Sequence, residues 1–305
     1  MSDIKKIWMN GELRDQADCT VHVLSHALHY GSSVFEGIRA YETPAGTAIF
    51  RLADHLKRLR FSADVYRMPM QYSNDELAGA CRETVKANGL KSAYLRPLVM
   101  RGNCGLGVLP KDMNQVEVVV IATKWGAYLG EEGLRNGIRA CFSSWQRLAP
   151  NTMPPGVKAG GNYLSSQLIG MEARDRGFEE GIALGTDGLL SEGAGENIFV
   201  VTGDRILTPP GSASILTGIT RDTVIKLAAT LGMKIEEQAI AREQVYGADE
   251  VFMTGTAAEV TPVRKVDHMT IGKGGCGPVT RQIQDAFFGL FNGKTDDQWG
   301  WLDPV

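Results

Sequence analysis

The stretch "GIALGTDGLLSEGAGENIFVVTGDRILTPP", Gly181–Pro210, decides the fold class of this chain. Its short apolar runs are separated by turn residues at 186–188 and 203–204, which predicts strands linked by hairpins. The segment "TGITRDTVIKLAATLG", Thr217–Gly232, then places apolar residues at helical spacing and ends at a glycine. Hairpin-linked strands interleaved with amphipathic helices predict an α+β fold rather than a doubly wound parallel sheet.

The part of the chain before residue 125 also predicts alternating strands and helices. "KIWMNGEL", Lys6–Leu13, has the Asn-Gly pair that is typical of a tight hairpin turn. "TAIFRLADHLKRLRFSADVY", Thr47–Tyr66, runs from a strand into a helix, with Asp54 as the expected cap. "SNDELAGACRETVKANGL", Ser73–Leu90, predicts a second helix that is capped near Ser73.

The glycine-rich segment "KWGAYLGEEGLRNG", residues 124–137, separates this part from a strand-rich remainder. A length of 305 residues suggests about two domains. We therefore predict a small N-terminal α/β domain at 1–124, an interdomain loop at 125–136 and a large C-terminal domain at 137–305.

The bulk composition excludes several classes of protein. A net charge of −3 and a pI near 6.0 provide no basic field for nucleic acid or an anionic membrane. No apolar run approaches the roughly 18 residues of a membrane span, and the start "MSDIKKIWMNGELRD" lacks the apolar core of a secretory signal. The five cysteines include no C-x-x-C pair, which favours reduced thiols over disulfides or a zinc site. We expect a cytoplasmic protein that binds neither nucleic acid nor membrane.

The stretch "RLAPNTMPPGVKAGGNYLSSQLIGME", Arg147–Glu172, contains a single charged residue between its ends, Lys158. A lysine among small and apolar residues loses part of its preference for the ammonium form. A neutral amine is a nucleophile toward carbonyl compounds. The simpler interpretation is a surface lysine in a Pro/Gly loop, so other motifs have to decide between the two.

Three further motifs complete a chemical set with this amine. Glu192 in "LLSEGAGENIF" follows an apolar strand, and a carboxylate buried there needs a positive partner. "LTGITRD", Leu216–Asp222, has Gly218 before the first turn of a helix, where backbone N–H groups can bind an anion. "MTGTAAEVTP", Met253–Pro262, combines small residues with Thr256, so backbone amides can approach a ligand closely.

Each of these motifs also has an ordinary explanation: a solvated acid, a helix cap and a plain turn. Together, an amine, an anion site and a carboxylate match an aldehyde cofactor with a phosphate and a basic ring nitrogen, which describes pyridoxal 5′-phosphate. Competing motifs are incomplete, because "GAGENI" lacks the last glycine of a dinucleotide loop and "GKT" at Gly293 lacks the first glycine of a P-loop. His22, His26 and His29 have no carboxylate pattern that would complete a metal site.

The segments "EGAGENIF", "ILT" and "LTGITR", between Glu192 and Arg221, resemble the signature of class IV aminotransferases with its spacing intact. Further segments, "HALHYGSSVFEGIRAY", "YLRP", "GLGVLP", "VKAGGNYLSS" and "MTGTAAEVTPV", are similar to the bacterial branched-chain amino acid aminotransferases. The resemblance covers nearly the whole chain. It implies a two-domain fold type IV enzyme, with a smaller N-terminal α/β sandwich domain and a larger C-terminal pseudo-barrel domain that binds pyridoxal phosphate.

The resemblance implies cofactor-binding roles for the matching residues. Lys158 would bind the cofactor covalently and move the proton between the substrate Cα and the cofactor, and Glu192 would keep the pyridine nitrogen protonated. Tyr163 would hydrogen-bond the phenolic oxygen, and Leu216 would pack on the ring. The phosphate would be bound by Arg58, Ile219, Thr220 and Thr256.

The resemblance also implies a substrate site. The α-carboxylate would be bound by Tyr94, Ala257 and Ala258. The apolar pocket would be formed by Phe35, Gly37, Tyr30, Trp125 and Tyr128, with Arg39 as support. Leu106 and Val108 would reach in from a partner subunit, so we expect at least a homodimer, and similarity to the bacterial enzymes favours a homohexamer. Because the pocket must also accept glutamate, we hypothesise that Arg96, with the hydroxyls of Tyr30 and Tyr128, binds the distal carboxylate.

The implied activity is reversible transamination of L-leucine, L-isoleucine and L-valine with 2-oxoglutarate. D-amino acid aminotransferases, (R)-amine transaminases and aminodeoxychorismate lyases would keep the same lysine and glutamate, but the tyrosine-rich pocket favours the branched-chain activity. Two alternatives from other classes stay open. One is a non-catalytic binding protein that retains the cofactor site, and the other is a phosphosugar- or nucleotide-binding module, which leaves Lys158 unexplained.

Overall fold

The structure is a computed structural model that describes residues 4–126 and 129–305. Contacts between residues divide the chain into two compact units. Unit 1 consists of the described residues up to 125 together with 157–161 and 297–305, and unit 2 consists of the described residues of 126–156 and of 162–296. The short segment that contains Lys158 therefore belongs to unit 1, while both of its flanks belong to unit 2. The predicted boundaries, 1–124, 125–136 and 137–305, stay a prediction.

Unit 1 is built on an antiparallel sheet. Its strands are β1 (Lys6–Met9), β2 (Glu12–Asp15), β3 (Ser33–Phe35), β4 (Ile38–Thr43), β5 (Gly46–Phe50), β6 (Ala93–Arg101), β7 (Val116–Thr123) and β17 (Leu302–Pro304). Its helices are α1 (His26–Tyr30), α2 (Leu52–Val65) and α3 (Asn74–Ala87). Among the described residues the strand order is β17-β5-β4-β6-β7-β1-β2, and β3 pairs with β6.

Two local signals fold unit 1 as predicted. The β1–β2 hairpin turns at Asn10 and Gly11, whose φ angles of 52° and 98° are ones that asparagine and glycine tolerate. Helix α3 begins after Ser73, whose hydroxyl accepts the N–H of Glu76 while the Glu76 carboxylate accepts the N–H of Ser73. This reciprocal capping fixes the first turn of the helix.

The predicted cap of helix α2 is wrong. Arg51, with a φ of 54°, holds the N-cap position, and Asp54 lies in the first turn. Asp54 instead accepts a hydrogen bond from Nε of Arg51 at 2.6 Å. An acidic side chain there still interacts favourably with the positive end of the helix dipole, so Asp54 supports the helix start without capping it.

The core of unit 1 lies between the sheet and the two longer helices. Leu52, Leu56 and Leu59 of α2 are buried in one cluster with side chains of the sheet and of α3. Val157 and Ala159 are buried in the same cluster. Burial of a Val- or Leu-sized side chain contributes about 1.5–3 kcal/mol. The backbone on both sides of Lys158 is therefore anchored in the core of unit 1.

Unit 2 is built on a mixed sheet. Its strands are β8 (Ile138–Phe142), β9 (Glu180–Leu184), β10 (Leu190–Gly193), β11 (Asn197–Thr202), β12 (Arg205–Thr208), β13 (Ile235–Glu237), β14 (Glu250–Gly255), β15 (Glu259–Val266) and β16 (Met269–Thr270). Its helices are α4 (Glu131–Asn136), α5 (Tyr163–Asp175), α6 (Ile219–Thr230), α7 (Arg242–Tyr246) and α8 (Pro278–Asn292). Among the described residues the strand order is β10-β9-β8-β15-β14-β11-β12-β13, and β16 pairs with β15.

The segment Gly181–Pro210 forms strands β9 to β12, as its turn residues predict. β9 and β10 are antiparallel, and so are β11 and β12, whereas β8 pairs in parallel with both β9 and β15. Helix α6 follows with Ile219, Val224, Leu227 and Ala228 of its predicted apolar face buried, whereas Leu231, also predicted for that face, is 41% exposed. Gly232, at a φ of 74°, lies just after the helix end. The glycine-rich segment 124–137 contains the short helix α4. Sheets with both pairings beside helices are those of the predicted α+β class.

Within residues 4–126 and 129–305, no helix combines the length and the apolar character needed to cross a membrane. The same residues contain no group of three or more His, Cys, Asp or Glu side chains placed to hold a metal ion. All five cysteines are free thiols. Burial raises the pKa of Cys81 to about 12 and the pKa of Cys141 to about 11. These two thiols therefore stay protonated and unreactive near neutral pH.

Candidate active site

Lys158 is held in unit 1 by its backbone. Its N–H donates to the Ser62 hydroxyl at 3.2 Å, and its carbonyl accepts the N–H of Phe35 at 3.0 Å. Its half-buried side chain places Nζ 5.1 Å from the centre of the Phe35 ring. A Cβ on Gly160 would collide with the Ser33 hydroxyl, so a side chain at 160 would displace this segment. The amine is therefore fixed beside strand β3.

Arg58, predicted to bind phosphate, is oriented by a fully buried glutamate that the sequence did not single out. Arg58 donates from Nε to Oε1 of Glu36 at 2.6 Å and from Nη2 to Oε2 at 2.7 Å. Nδ1 of His55 lies 2.7 Å from the same Oε2. A two-point pair of this kind fixes the plane of the guanidinium and the direction in which it faces.

The charges in this network determine its protonation. Burial alone would raise the pKa of Glu36, but the charge and hydrogen bonds of Arg58, with a hydrogen bond to His55, hold that pKa far below its ordinary value. Burial lowers the pKa of His55, the contact with Glu36 opposes this, and the charges of Arg58 and Lys158 lower the pKa further. Glu36 is therefore a carboxylate, and a neutral His55 limits the positive charge near the amine.

The aromatic wall of unit 1 is formed by residues that are predicted to bind the substrate: Phe35, Tyr94, Arg96 and Trp125. The Tyr94 and Trp125 rings stack with centroids 4.8 Å apart. The Arg96 guanidinium lies 4.4 Å from the centre of the Phe35 ring and donates to the Tyr94 hydroxyl at 2.9 Å. A Cβ on Gly37 would collide with the Tyr94 hydroxyl, so glycine is required for this packing. Within the described residues, Nε of Arg96 is buried and has no hydrogen-bond partner.

The remaining predicted pocket residues of unit 1 differ in their exposure. The hydroxyl of Tyr30 donates to the carbonyl of Leu106 at 2.6 Å. The side chains of Leu106 and Val108 are 58% and 73% exposed. Arg39 is buried, with its guanidinium 6.0 Å from the centre of the Tyr41 ring. Tyr128 lies outside the described residues, so its role stays a prediction.

Glu192 is a buried, fully paired carboxylate in unit 2. Its side chain is 6% exposed, and Oε1 forms an ion pair with Nη2 of Arg147 at 2.7 Å. Oε2 accepts the N–H of Leu216 at 3.1 Å and a hydrogen bond from Nδ2 of Asn197 at 3.2 Å. The cation and these donors favour the ionised form, so Glu192 offers the fixed negative charge that the sequence predicted.

Asn197 connects this carboxylate to the start of helix α6. Its Oδ1 accepts the N–H of Gly218, the N-cap residue, at 3.1 Å, and its Nδ2 donates to the Leu216 carbonyl at 2.8 Å. A Cβ on Gly218 would collide with Oδ1 of Asn197. The next residues, Ile219 and Thr220, form the first turn, whose backbone N–H groups and dipole favour an anion.

The small-residue turn that was predicted to approach a ligand links strands β14 and β15. Thr256 and Ala257 are half-buried, Ala258 is buried, and the Ala258 carbonyl accepts the Thr261 hydroxyl at 2.6 Å. Tyr163 begins helix α5 and lines an open cavity of unit 2 that Ala194 and Gly195 also line. Unit 2 thus carries a carboxylate, a helix start and a small-residue turn.

Four residues that orient the predicted site residues were not found from the sequence: Glu36, Arg147 and Asn197, which contact them directly, and His55, which contacts Glu36. Glu36 and Arg58 lie 22 positions apart, and Arg147 precedes Glu192 by 45 positions, so spacing offers no signal for either pair. Asn197 lies in the same short motif as Glu192, five positions later, and an amide at the end of a buried strand could have been weighed as its partner.

Comparison with known proteins gives a consistent result. The sequence profile of the family "Amino-transferase class IV" matches residues 33–266. The branched-chain-amino-acid aminotransferase of Salmonella typhimurium (strain LT2) is 58% identical over 299 residues, which cover 98% of this chain and 97% of that protein. The crystal structure of the Escherichia coli branched-chain amino acid aminotransferase has a TM-score of 0.97 at 56% identity and covers 98% of this chain and 99% of its own.

A third similar protein was solved with its cofactor bound. The crystal structure of the branched-chain amino acid aminotransferase from Thermobaculum terrenum, in its PLP-form, has a TM-score of 0.92 at 34% identity. It covers 100% of this chain and 99% of its own. These similarities confirm the fold class that the sequence predicts.

Proposed function

The chain belongs to the class IV aminotransferase family, and from this premise we propose that it is a pyridoxal-phosphate-dependent transaminase. It transfers the amino group of L-leucine, L-isoleucine or L-valine to 2-oxoglutarate, giving branched-chain 2-oxo acids and L-glutamate, and the reaction is reversible. The observation that carries the proposal is 58% identity, over 98% of the chain, with an enzyme of that name.

The residues present fit pyridoxal phosphate. Its aldehyde requires an amine, supplied by Lys158, and its ring nitrogen requires a carboxylate, supplied by Glu192, which is held ionised by Arg147. Its phosphate requires cationic and N–H donors, supplied by Arg58, Ile219, Thr220 and Thr256. Tyr163 would hydrogen-bond the phenolic oxygen, and Leu216 would pack on the ring. When bound, the cofactor supplies an electron sink for the bond that breaks at the substrate Cα.

The protein's own residues control where protons reside. Glu192 would hold a proton on the pyridine nitrogen of the cofactor, because its carboxylate is itself fixed by Arg147, Asn197 and the N–H of Leu216. Lys158 would take the proton from the substrate Cα and deliver it to the carbon that receives the amino group.

The aromatic wall of unit 1 selects the substrate. Tyr94, with the backbone amides of Ala257 and Ala258, binds the α-carboxylate. Phe35, Gly37, Tyr30, Trp125 and Tyr128 accept the branched side chain, and Arg39 supports them. Arg96 receives the distal carboxylate of glutamate with the hydroxyls of Tyr30 and Tyr128, because its buried Nε has a donor to offer.

We further propose a homodimer as the minimal active unit, with a homohexamer as the larger assembly, acting in the cytoplasm. Leu106 and Val108 lie on a loop with large exposed apolar side chains, which is typical of a surface that a second subunit covers. Free cysteines suit a reducing compartment. Sedimentation of the holoenzyme tests the assembly. Leu106→Ser together with Val108→Ser should reduce activity, and unchanged turnover would contradict a role for this loop.

Borohydride reduction of the holoenzyme followed by peptide mapping tests the function. The label should be found on Lys158. Lys158→Ala should abolish labelling and transamination, whereas Lys57→Ala, an exposed lysine on helix α2 of the same unit, should change neither. Labelling elsewhere, or turnover by Lys158→Ala close to that of the wild type, would refute the proposal.

A half-reaction panel separates this activity from those of other class IV enzymes. L-leucine should discharge the coloured cofactor form, while D-alanine and an aromatic amine should not. Faster loss of the coloured form with D-alanine or with the aromatic amine would show that the protein has the activity of another class IV enzyme.

A further inference from the structure

Two buried carboxyl groups of unit 2, Glu180 and Glu196, lie against each other behind the motif that contains Glu192. Their residues are 5% and 4% exposed, and the two carboxyl groups are close enough for each to change the pKa of the other. Burial raises the pKa of both, and two carboxyl groups that lie side by side disfavour each other's charge. We therefore expect the pair to hold one proton and one negative charge near neutral pH.

The pair fixes the turn that follows Glu192. Oε1 of Glu180 accepts the N–H of Gly181 at 2.7 Å and the N–H of Ala194 at 3.4 Å. Oε2 of Glu196 accepts the N–H of Gly195 at 3.1 Å, and the Glu196 carbonyl accepts the N–H of Gly193 at 2.7 Å. The N–H groups of Ala194 and Gly195 are thus bound by the two carboxyl groups, and that of Gly193 by the backbone carbonyl of Glu196.

The same pair contacts a second loop and a cavity. A Cβ on Gly255 would lie 3.6 Å from Cγ of Glu196, and Gly255 directly precedes the turn that contains Thr256. Glu180 lines the open cavity that Tyr163 also lines. Glu196 therefore packs between the turn that directly follows Glu192 and the strand end that directly precedes Thr256, and the proposed function assigns Glu192 and Thr256 to the cofactor.

The surrounding charges place the proton on Glu196. Burial, then the charge of Glu180 and, less strongly, the charge of Glu192 raise the pKa of Glu196 well above its ordinary value, against one hydrogen bond from Gly195. Burial also raises the pKa of Glu180, but hydrogen bonds from two amides and from Glu196, and the charge of Arg174 on α5, oppose this. Glu180 is the acceptor and Glu196 the donor.

We propose that Glu196 is a positioning residue of the transamination site, which as the proton-bearing partner of Glu180 holds the two turns in place and keeps a further negative charge away from Glu192. The inference rests on the proposed function. Loss of the proton would leave Glu180, Glu192 and Glu196 all charged in a buried region where Arg147 already pairs with Glu192. Two unscreened carboxylates would then repel each other, and the turns they bind would move.

Three variants separate the effect of the proton on Glu196 from the effect of the shape of its side chain. Glu196→Gln keeps a donor toward Glu180 and an acceptor toward Gly195 but cannot ionise. Glu196→Leu keeps approximate volume and removes both hydrogen bonds. Glu243→Gln changes an exposed acid of helix α7 in the same unit and serves as the matched control.

The first measurement is infrared spectroscopy of the cofactor-free protein at neutral pH. Wild type and Glu243→Gln should show the carbonyl band of a protonated carboxyl group, and Glu196→Gln should lack it. This readout requires no turnover. If the wild type has the band but no transaminase activity, the proposed function fails while the proton assignment stands.

The second measurement is the affinity for pyridoxal phosphate as a function of pH. Glu196→Gln should bind within about threefold of wild type at neutral pH, because the hydrogen bonds are kept. Wild-type affinity should decline as pH rises through the pKa of the pair, and Glu196→Gln should lose this decline. Glu196→Leu should bind about tenfold or more weakly, because buried amides lose their acceptor.

Three results would overturn the inference: a carboxyl band that persists in Glu196→Gln, an alkaline decline that is the same in Glu196→Gln and wild type, or Glu196→Leu binding cofactor as wild type does. If Glu196→Leu does not fold, the first two comparisons, which need only the conservative variant and its control, still decide the question.

Discussion

Two buried glutamates, one in each unit, are held in opposite ways. Glu36 in unit 1 is surrounded by cationic and hydrogen-bonding partners: Arg58 binds both of its oxygens and His55 binds one. Glu196 in unit 2 lies among carboxyl groups, against Glu180 and near Glu192. The pKa of Glu36 is held far below its ordinary value, and the pKa of Glu196 is raised well above it.

The difference shows that partners, rather than burial, decide the ionisation of a buried carboxyl group here. Burial raises the pKa of both residues and is the largest single cause for each. At Glu36 the combined effects of Arg58 and His55 exceed it, whereas at Glu196 the neighbouring carboxylates add to it. One arrangement fixes the arginine that is proposed to bind phosphate, and the other is proposed to store a proton, so acid should disturb the first and alkali the second.

The largest effect is expected from removing the acid of unit 1. Glu36→Ala leaves Arg58 and His55 buried without their shared carboxylate, and it should lower the free energy of unfolding by about 3–5 kcal/mol. It should also weaken cofactor binding, because Arg58 loses its orientation. Chemical denaturation and titration with pyridoxal phosphate measure the two effects. A loss below about 1 kcal/mol would mean that the pair contributes little to the fold.

Lowering the pH should weaken the pair of Glu36 and Arg58 in the wild-type protein. Because the pKa of Glu36 is lower in the folded state, its stabilisation is complete above the ordinary value of 4.5 and is lost as pH falls through the folded pKa. Below about pH 4.5, unfolding of unit 1 should therefore become easier by up to about 1.4 kcal/mol per pH unit. Hydrogen exchange of amides in β4 and α2 measures this. Glu36→Gln should flatten the dependence, and equal slopes would count against the assignment.

A smaller loss is expected when the cation of unit 2 is removed. Arg147→Met leaves Glu192 with the N–H of Leu216 and the amide of Asn197, so the loss should be about 1.5–3 kcal/mol in the cofactor-free protein. Bound cofactor brings a cationic ring nitrogen to Glu192, so the loss should be smaller in the holoenzyme. Thermal unfolding of both forms, with Arg135→Met at an exposed arginine as control, measures the difference. Equal losses with and without cofactor would contradict the proposed role of Glu192.

Much of the fold was predictable because its signals are local. The Asn10-Gly11 turn, the Ser73 cap and the apolar face of α6 act within a few residues of one another. The pairing of β17 with β5 and the parallel pairing of β8 with β15 join segments more than 100 residues apart, for which a single sequence has no signal. The cap of α2 failed because Arg51 adopts a left-handed conformation, which side-chain type alone does not predict.

A site residue can be predicted where the sequence around it has a local pattern, such as a stretch without other charged residues or a glycine-containing motif. Lys158 stands out because its neighbours lack charge, and Glu192 because glycines follow it. No local pattern distinguishes the residues around them: in the sequence, Glu36, Arg147 and Glu196 look like other charged residues, and only tertiary contacts bury them. Whether a glutamate donates, accepts or carries charge depends on those contacts, so the sequence points to the groups that are proposed to react and not to the groups that tune them.

Arg96 is held differently from the other two site arginines. Arg58 and Arg147 each pair with a buried glutamate, whereas Arg96 hydrogen-bonds a tyrosine hydroxyl and packs on Phe35. If its partner is the distal carboxylate of the substrate, Arg96→Ala should lower kcat/KM for glutamate about 10- to 100-fold and for leucine about threefold or less. Arg96→Met, which keeps a stem over Phe35, should show the same selectivity. Equal losses for both substrates would refute this role.

The smallest effect is expected at an exposed ion pair, which serves as a contrast to the buried pair of Glu36. Glu42 on β4 pairs with Lys91 at 2.8 Å, about as short as the contacts of Glu36, but the two side chains are 56% and 76% exposed. Water screens the pair and solvates either partner when it is alone, so Glu42→Ala should leave the denaturation midpoint and the cofactor affinity unchanged within error. Measured beside Glu36→Ala, this variant separates the effect of distance from that of burial. A marked loss in Glu42→Ala would mean that pairing distance alone sets the strength of these contacts, and the contrast between Glu36 and Glu196 would then need another explanation.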